Sequence, residues 1–181
     1  PQVEAVKEKE FEILYLTEYV DEFALQMLME YDNKKFVNVS SEKLDLETEE
    51  EKEELKKNNE EHKDMFNVMK EAVKDEVKDI RFTKKLKTHP VCLTSEGNVS
   101  IEMEKVINAM PTDEKVKAET ILEINNNHEI SNKIKELYNN NEKEELEKYT
   151  KILYNQARLI SGLTIENPTE LTNLICDMIS K

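Results

Sequence analysis

The 181-residue chain has no tryptophan, two glycines, four prolines and two cysteines. Two glycines cannot supply a glycine-rich phosphate loop. The cysteines, Cys92 and Cys176, stand far apart in apolar surroundings. They are too few for a disulfide framework and are expected to be buried, inert thiols in a reducing cytoplasm. No apolar run approaches the ~20 residues that cross a bilayer. Residues 1–10 are polar and charged, without the apolar stretch of a secretory signal. The chain opens with Pro1, not Met, so it is expected to be part of a longer or processed polypeptide. Positive charge is also scarce: 26 Lys and Arg face 40 Asp and Glu, for a net charge of −14. That balance argues against nucleic acid, whose phosphates need clustered cations, and against anionic membrane surfaces.

What remains is a helix-favouring mixture rich in Leu, Lys and Glu, 38% apolar and 36% charged. The apolar share is enough for one core, and the charge must sit on solvated faces. Residues 11–39 read as strand, helix, strand. FEILYL (Phe11 to Leu16) is an apolar run of strand length, and Thr17 is a candidate N-cap. Phe23, Met27, Leu28 and Tyr31 follow at helical spacing, and KKFVNV alternates. A β-α-β unit of this kind is expected to pair its strands in parallel. Positions 42–61 hold ten Asp or Glu and four Lys, a local charge of −6. This stretch reads as a solvated linker and helix face, without the spacing of a calcium loop. One long helix is expected from about Glu49 to Lys74, with Leu55, His62, Phe66, Met69 and Val73 on one stripe.

Three strands are expected beyond it: VKDIRFT (77–83), PVCLT (90–94) and TILEI (120–124), the last closed by Asn125, Asn126 and Asn127. A helix from about Val99 to Ala109 separates the second and third, and a short one spans roughly His128 to Tyr138. The clearest signal lies at the C-terminal end. Leu146, Tyr149, Ile152, Leu153, Ala157, Ile160 and Leu163 recur at helical steps, and Gly162 is placed to end that helix. Asn167-Pro168-Thr169-Glu170 reads as a helix start, followed by Leu171, Leu174, Ile175, Met178 and Ile179 on one face. The fold class expected is α+β: a small mixed sheet covered by helices, with a C-terminal helical hairpin. Two helices packed only on each other leave apolar edges wet, and a second copy would cover them in an intermolecular four-helix bundle. The interface expected is Tyr149, Ile152, Leu153, Ala157, Ile160 and Leu163 on one arm, and Leu171, Leu174, Ile175, Met178 and Ile179 on the other.

Catalytic and metal chemistry find no support. His62, His89 and His128 lack matching ligand spacing, and neither cysteine has a histidine near it in sequence. No catalytic, cofactor or metal residue is expected within the chain. On composition alone, a stand-alone acidic homodimeric scaffold or adaptor competes.

Several stretches in consecutive order resemble the heat shock protein 90 family, most closely its bacterial branch. EILYLTEYVDEFALQMLMEYDNKKFVNV (12–39) looks like the end of the family's middle domain. VKDIRFTKKLKTHPVCL (77–93), MEKVINAM (103–110), LEINNNHEI (122–130) and ILYNQARLISGLTIENP (152–168) look like successive parts of its C-terminal domain. Asn33 and Asn126 stand where the family usually has Gly and Pro, and Thr164 where bacterial members often have Pro; these are turn positions. The chain ends Ile179-Ser180-Lys181, without the acidic tail of cytosolic eukaryotic members. The resemblance implies three parts: 1–39, the end of the middle domain; 40–48, an acidic linker; and 49–181, the C-terminal dimerisation domain. It implies a cytoplasmic ATP-dependent chaperone that assists folding under stress and binds ATP and magnesium through domains outside this chain. It implies a homodimer and unfolded or partly folded client proteins as partners. It also implies client contact on the helix after Gly97, where Val99, Met103, Val106, Ile107 and Met110 form one stripe. The matching helix in bacterial relatives is amphipathic and partly exposed toward the cleft between protomers.

Overall fold

The computed structural model describes residues 3–9, 11–18, 20–41, 44, 46–74, 76–111 and 115–180. Among these, the elements run α1 (Val3–Val6), α2 (Asp21–Leu28), β1 (Glu30–Tyr31), β2 (Lys34–Lys35), α3 (Glu49–Glu61) and α4 (Lys63–Ala72). They continue β3 (Asp79–Thr83), β4 (Val91–Glu96), α5 (Ile101–Ala109), β5 (Glu119–Asn125), α6 (Glu129–Asn139), α7 (Lys143–Ile160) and α8 (Pro168–Ile179). The protein is α+β.

The main sheet is three-stranded and mixed, in the order β3-β5-β4, with β5 parallel to β3 and antiparallel to β4. The register puts Ile80 opposite Leu122, Phe82 opposite Ile124, Leu93 opposite Leu122 and Val91 opposite Ile124. Alternation therefore gathers six large apolar side chains on one face. Met65, Phe66 and Met69 of α4, Ile134 and Leu137 of α6, and Leu146, Leu153 and Ala157 of α7 complete that core. Phe82 meets Phe66 edge to face at 5.0 Å between ring centres.

The opposite face is buried as well and sets polar groups beside Ile121. Arg81 donates through Nε and Nη2 to Glu123 Oε1 at 3.1 and 2.7 Å, and Cys92 Sγ lies 3.9 Å from Glu123 Oε2. Asn125 on this face donates to the carbonyls of Lys87 and His89, closing the β3–β4 loop onto the end of β5.

The N-terminal region departs from the expected β-α-β unit. Phe11 to Leu16 is not in a strand, and its large side chains are exposed except half-buried Ile13. A strand needs a hydrogen-bonded neighbour, and among the described residues none lies beside this run. Thr17 does not cap α2. The helix begins four residues later, because the Asp21 carboxylate accepts from the backbone N–H groups of Thr17 and Glu18 and holds them in a preceding turn. In KKFVNV only Lys34 and Lys35 are in a strand, and it pairs with Glu30–Tyr31 in antiparallel fashion rather than parallel. Asp32 and Asn33 both have positive φ (50° and 60°), the geometry of a two-residue hairpin turn. Asn33 therefore fills its turn position by tolerating the left-handed region.

The expected single helix over 49–74 is two. His62 leaves helical geometry (φ −105°, ψ 13°), its Nδ1 donates to the Asn58 carbonyl at 2.8 Å, and its ring packs edge-on to Phe82. Thr48 caps α3 in a reciprocal box with Glu51. The 40–48 linker falls partly outside the described residues, since 42, 43 and 45 are not among them. Of its remainder, Ser41 bridges Ser95 at the outer edge of β4, and Leu44 and Leu46 are buried.

Candidate interaction surfaces

Two surfaces follow from how helices α5, α7 and α8 are held. Helix α5 starts at Ser100, whose hydroxyl accepts from the Met103 N–H at 3.0 Å. Its only fully buried residue is Ile101. Polar tethers fix the rest. Glu104 accepts from the Ala118 N–H at 2.8 Å, and the Asn108 amide brackets Val116, donating to its carbonyl and accepting from its N–H. Lys105 Nζ donates to the Ser161 carbonyl at the end of α7. A helix tied down at its edges does not need to bury its apolar face. Val99 is half-buried against the core, Met103, Val106 and Ile107 are half-buried, and Met110 is exposed. Gln26 Nε2 reaches Met103 Sδ at 3.1 Å, bringing α2 alongside; Met27 and Leu28 of α2 are exposed.

Helix α7 ends in the expected way. Gly162 has φ +70°, the Leu163 N–H bonds back to the Arg158 carbonyl, and the Gly162 N–H to the Leu159 carbonyl. Asn167 caps α8 by accepting from the Glu170 N–H, with Pro168 at the first position. Arg158 organises the connection: it donates to the Thr164 carbonyl through Nε and Nη2, and through Nη1 to the Tyr154 hydroxyl and Glu166. Thr164 thus contributes a carbonyl, which Pro would supply as well. Lys151 pairs with Glu170 at 2.9 Å across the two helices, and it holds the Glu170 carboxyl below its ordinary pKa.

The expected interface residues divide into three groups. Leu153 and Ala157 are buried in the chain's own core, and Ile152 and Leu171 are nearly so. Tyr149, Leu163, Leu174 and Met178 are half-buried. Ile160, Ile175 and Ile179 stay exposed, at 39%, 37% and 80%. Leu159 is exposed at 56% and was missed in the sequence, because the helical stepping passes from Ala157 to Ile160 over it. Cys176 also corrects an expectation: it lies exposed on α8, away from the buried face that Leu171 marks. Cys92 is buried, and that burial, with Glu123 beside it, pushes its thiol far above the ordinary range.

Among the described residues, no group of three His, Cys, Asp or Glu is arranged to hold a metal, and no helix is long and apolar enough to cross a membrane. An open polar groove lies between α3 and α6, lined by Glu54, Asn58, Glu61, Lys84, Asn132 and Lys135.

The Hsp90 protein family model matches residues 1–181. The chaperone protein HtpG of Clostridium perfringens (strain 13 / Type A) is 51% identical over 179 residues, covering 99% of this chain and 28% of that protein. HtpG of Clostridium botulinum (strain Loch Maree / Type A3) is 50% identical and that of Bacillus subtilis (strain 168) 48%, over the same spans. The chain therefore spans a little over a quarter of the length of these relatives. With its full length matched and half its residues shared with each of them, the chain belongs to the Hsp90 protein family.

Proposed function

We propose that this chain is the C-terminal dimerisation and client-contact region of an ATP-dependent, cytoplasmic molecular chaperone that acts in protein folding and stress response. The observation that carries the reading is the exposure of the apolar side chains Leu159 and Ile160 on α7 and Ile175 and Ile179 on α8, in a chain matched throughout to chaperones. In this reading α7 and α8 form a hairpin that packs on its counterpart in a second copy, building a four-helix bundle about a two-fold axis. Residues 1–39 close the middle domain, 40–48 link, and 49–181 form the dimerisation domain. Among the described residues, one hydrophobic cluster joins Val6, Ile13 and Val39 to Leu44 and Leu46 of the linker, and the other is built from residues from Leu55 onward.

The chain has no catalytic role of its own. ATP and magnesium bind elsewhere in the parent protein, and dimerisation raises the effective concentration of its two ATPase arms for each other. The α5 stripe of Val99, Met103, Val106, Ile107 and Met110 contacts unfolded or partly folded clients, where flexible methionines suit varied partners.

Deleting residues 167–181 should give a monomer by sedimentation, and Leu174→Glu with Met178→Glu should do the same while the sheet stays intact. A parent chain that sediments as a monomer at tens of micromolar refutes the dimer. Met103→Ser with Ile107→Ser should weaken suppression of client aggregation without altering the melting temperature; unchanged suppression removes the client assignment.

A further inference from the structure

Lys135 of α6 is held unlike the lysines around it. Lys78, Lys117, Lys133 and Lys148 each hydrogen-bond a glutamate, which favours the charged form and raises the pKa of each. Among the described residues no carboxylate pairs with Lys135. Its Nζ stands instead over the face of the Phe82 ring, 4.4 Å from the centre. That ring is fully buried, with Phe66 and His62 edge-on to it, and Lys135 lies half-buried against it. The ring face attracts a cation, but it displaces water and gives the ammonium no carboxylate in return. Burial sets the direction: it lowers the Lys135 pKa against the pull of the Glu61 carboxylate. A lysine desolvated in this way has more of its amine free to act as a nucleophile.

The same side chain lines the open polar groove between α3 and α6. The charged groups that share the groove with it are Glu54, Lys57 and Glu61 of α3 and Lys84, just beyond β3. Lys84 is bonded to Glu54, and on α6 itself Lys133 and Glu136 pair with each other. Three lysines against two glutamates leave the groove locally cationic, in a chain whose net charge is −14. A small anion repelled by the chain as a whole is therefore drawn to this place, beside an amine that is not tied to a carboxylate.

We propose that Lys135 is a modification site: acyl phosphates enter the groove between α3 and α6 and transfer their acyl group to its Nζ. Lys135 first loses its ammonium proton to water. The neutral amine then attacks the acyl carbonyl carbon. An N–C bond forms as the bond from that carbon to the phosphate oxygen breaks, and phosphate leaves with the electron pair. The proton shed by the nitrogen goes to the departing phosphate. The product is an uncharged amide, so the cation over Phe82 is lost and the groove is left with two lysines against two glutamates. The proposal is independent of self-association and of client contact, since none of these residues lies on α5, α7 or α8.

The test is acetylation of the full chain by acetyl phosphate near neutral pH, with the rate at each lysine followed by peptide mass spectrometry. Lys133 is the internal control, because it lies on the same helix but is bonded to Glu136. Lys135 should be acetylated about fivefold faster than Lys133. Two substitutions at exposed positions should move that rate in opposite directions. Asn132→Asp puts a carboxylate three residues before Lys135 on α6 and should slow it about threefold. Glu61→Gln removes the carboxylate that favours the ammonium and should speed it about twofold. Both variants should keep the melting midpoint within about 2 °C of the parent. Acetylation of Lys135 that is no faster than that of Lys133, or that is indifferent to either substitution, overturns the assignment.

Discussion

Ile179→Asp tests the proposed self-association most directly. Ile179 retains 80% of its accessible surface in the isolated chain, on the last turn of α8. Fully burying an isoleucine side chain stabilises by roughly 1.5–3 kcal/mol, so covering the exposed part yields about 2 kcal/mol per chain. A two-fold axis counts it twice, for about 4 kcal/mol per dimer. Aspartate forfeits that and brings two carboxylates toward an apolar seam in a chain already at −14. Part of the gross value is lost to association and ordering costs. A net loss of about 2.7 kcal/mol is a hundredfold weaker dissociation constant. Sedimentation equilibrium over a concentration series measures it, with far-UV circular dichroism as the check on folding. Leu159→Asp, at 56% exposure on the neighbouring helix, should act in the same direction. Met27→Asp is the control: Met27 is as exposed as Ile179 but sits on α2, so it should leave self-association unchanged. If Ile179→Asp and Leu159→Asp both associate within about threefold of the parent, the open apolar row is not the interface.

Asn59 clamps the edge strand β3, accepting from the Phe82 N–H at 2.8 Å and donating to the Phe82 carbonyl at 3.2 Å. Asn59→Ala should cost about 1–3 kcal/mol in urea unfolding, with faster amide exchange concentrated in β3. Gly162→Ala puts an L-residue at φ +70° and a Cβ 3.2 Å from Lys105 Nζ. It should cost about 1–2 kcal/mol and lower the melting temperature by a few degrees. Because Lys151 holds the Glu170 carboxyl below its ordinary pKa, its contribution is fully present above the ordinary value and is lost as pH falls through the lowered folded value. The start of α8 should therefore loosen in acid, and Glu170→Gln should remove that part of the pH dependence in amide exchange of residues 168–172.

The sheet was legible because its strands are short runs of strand character flanked by turns: Ile80 and Phe82 mark one face by alternation, PVCLT and TILEI are apolar runs of strand length, and the structure brings Val91, Leu93, Leu122 and Ile124 into register with them. The ends of α7 and α8 were legible because Gly162 and Asn167-Pro168 are local signals whose chemistry needs no distant partner. Phe11 to Leu16 failed for the converse reason: its composition suits a strand, but strand pairing depends on a neighbour that local sequence cannot supply. The break at His62 depends on Asn58 four residues back and Phe82 twenty residues on, so helical periodicity ran through it. The Arg81–Glu123 pair, 42 residues apart, was hidden because cross-strand partners are defined only once the register is set. Leu159 was missed because a stripe read at ideal spacing skips residues at its margin.

Lys105 connects the two proposed surfaces physically. Its ammonium sits at the C-terminal end of α7, where unpaired carbonyls and the helix dipole favour a cation. Gly162 lies beside it: its φ of +70° allows the turn that ends α7, and a Cβ there would stand 3.2 Å from Nζ, close enough to nudge the lysine by a few tenths of an ångström. Since α5 buries only Ile101 fully, its position depends on such tethers more than on packing. Whatever displaces Lys105 bears first on the turn that follows α7, next to Leu159 and Ile160, which stand open on the helix's last turn. A client seated on the α5 stripe and a second copy seated on α7 would thus bear on opposite ends of one hydrogen bond. By linkage, any effect of the first on the second must be matched by the reverse effect.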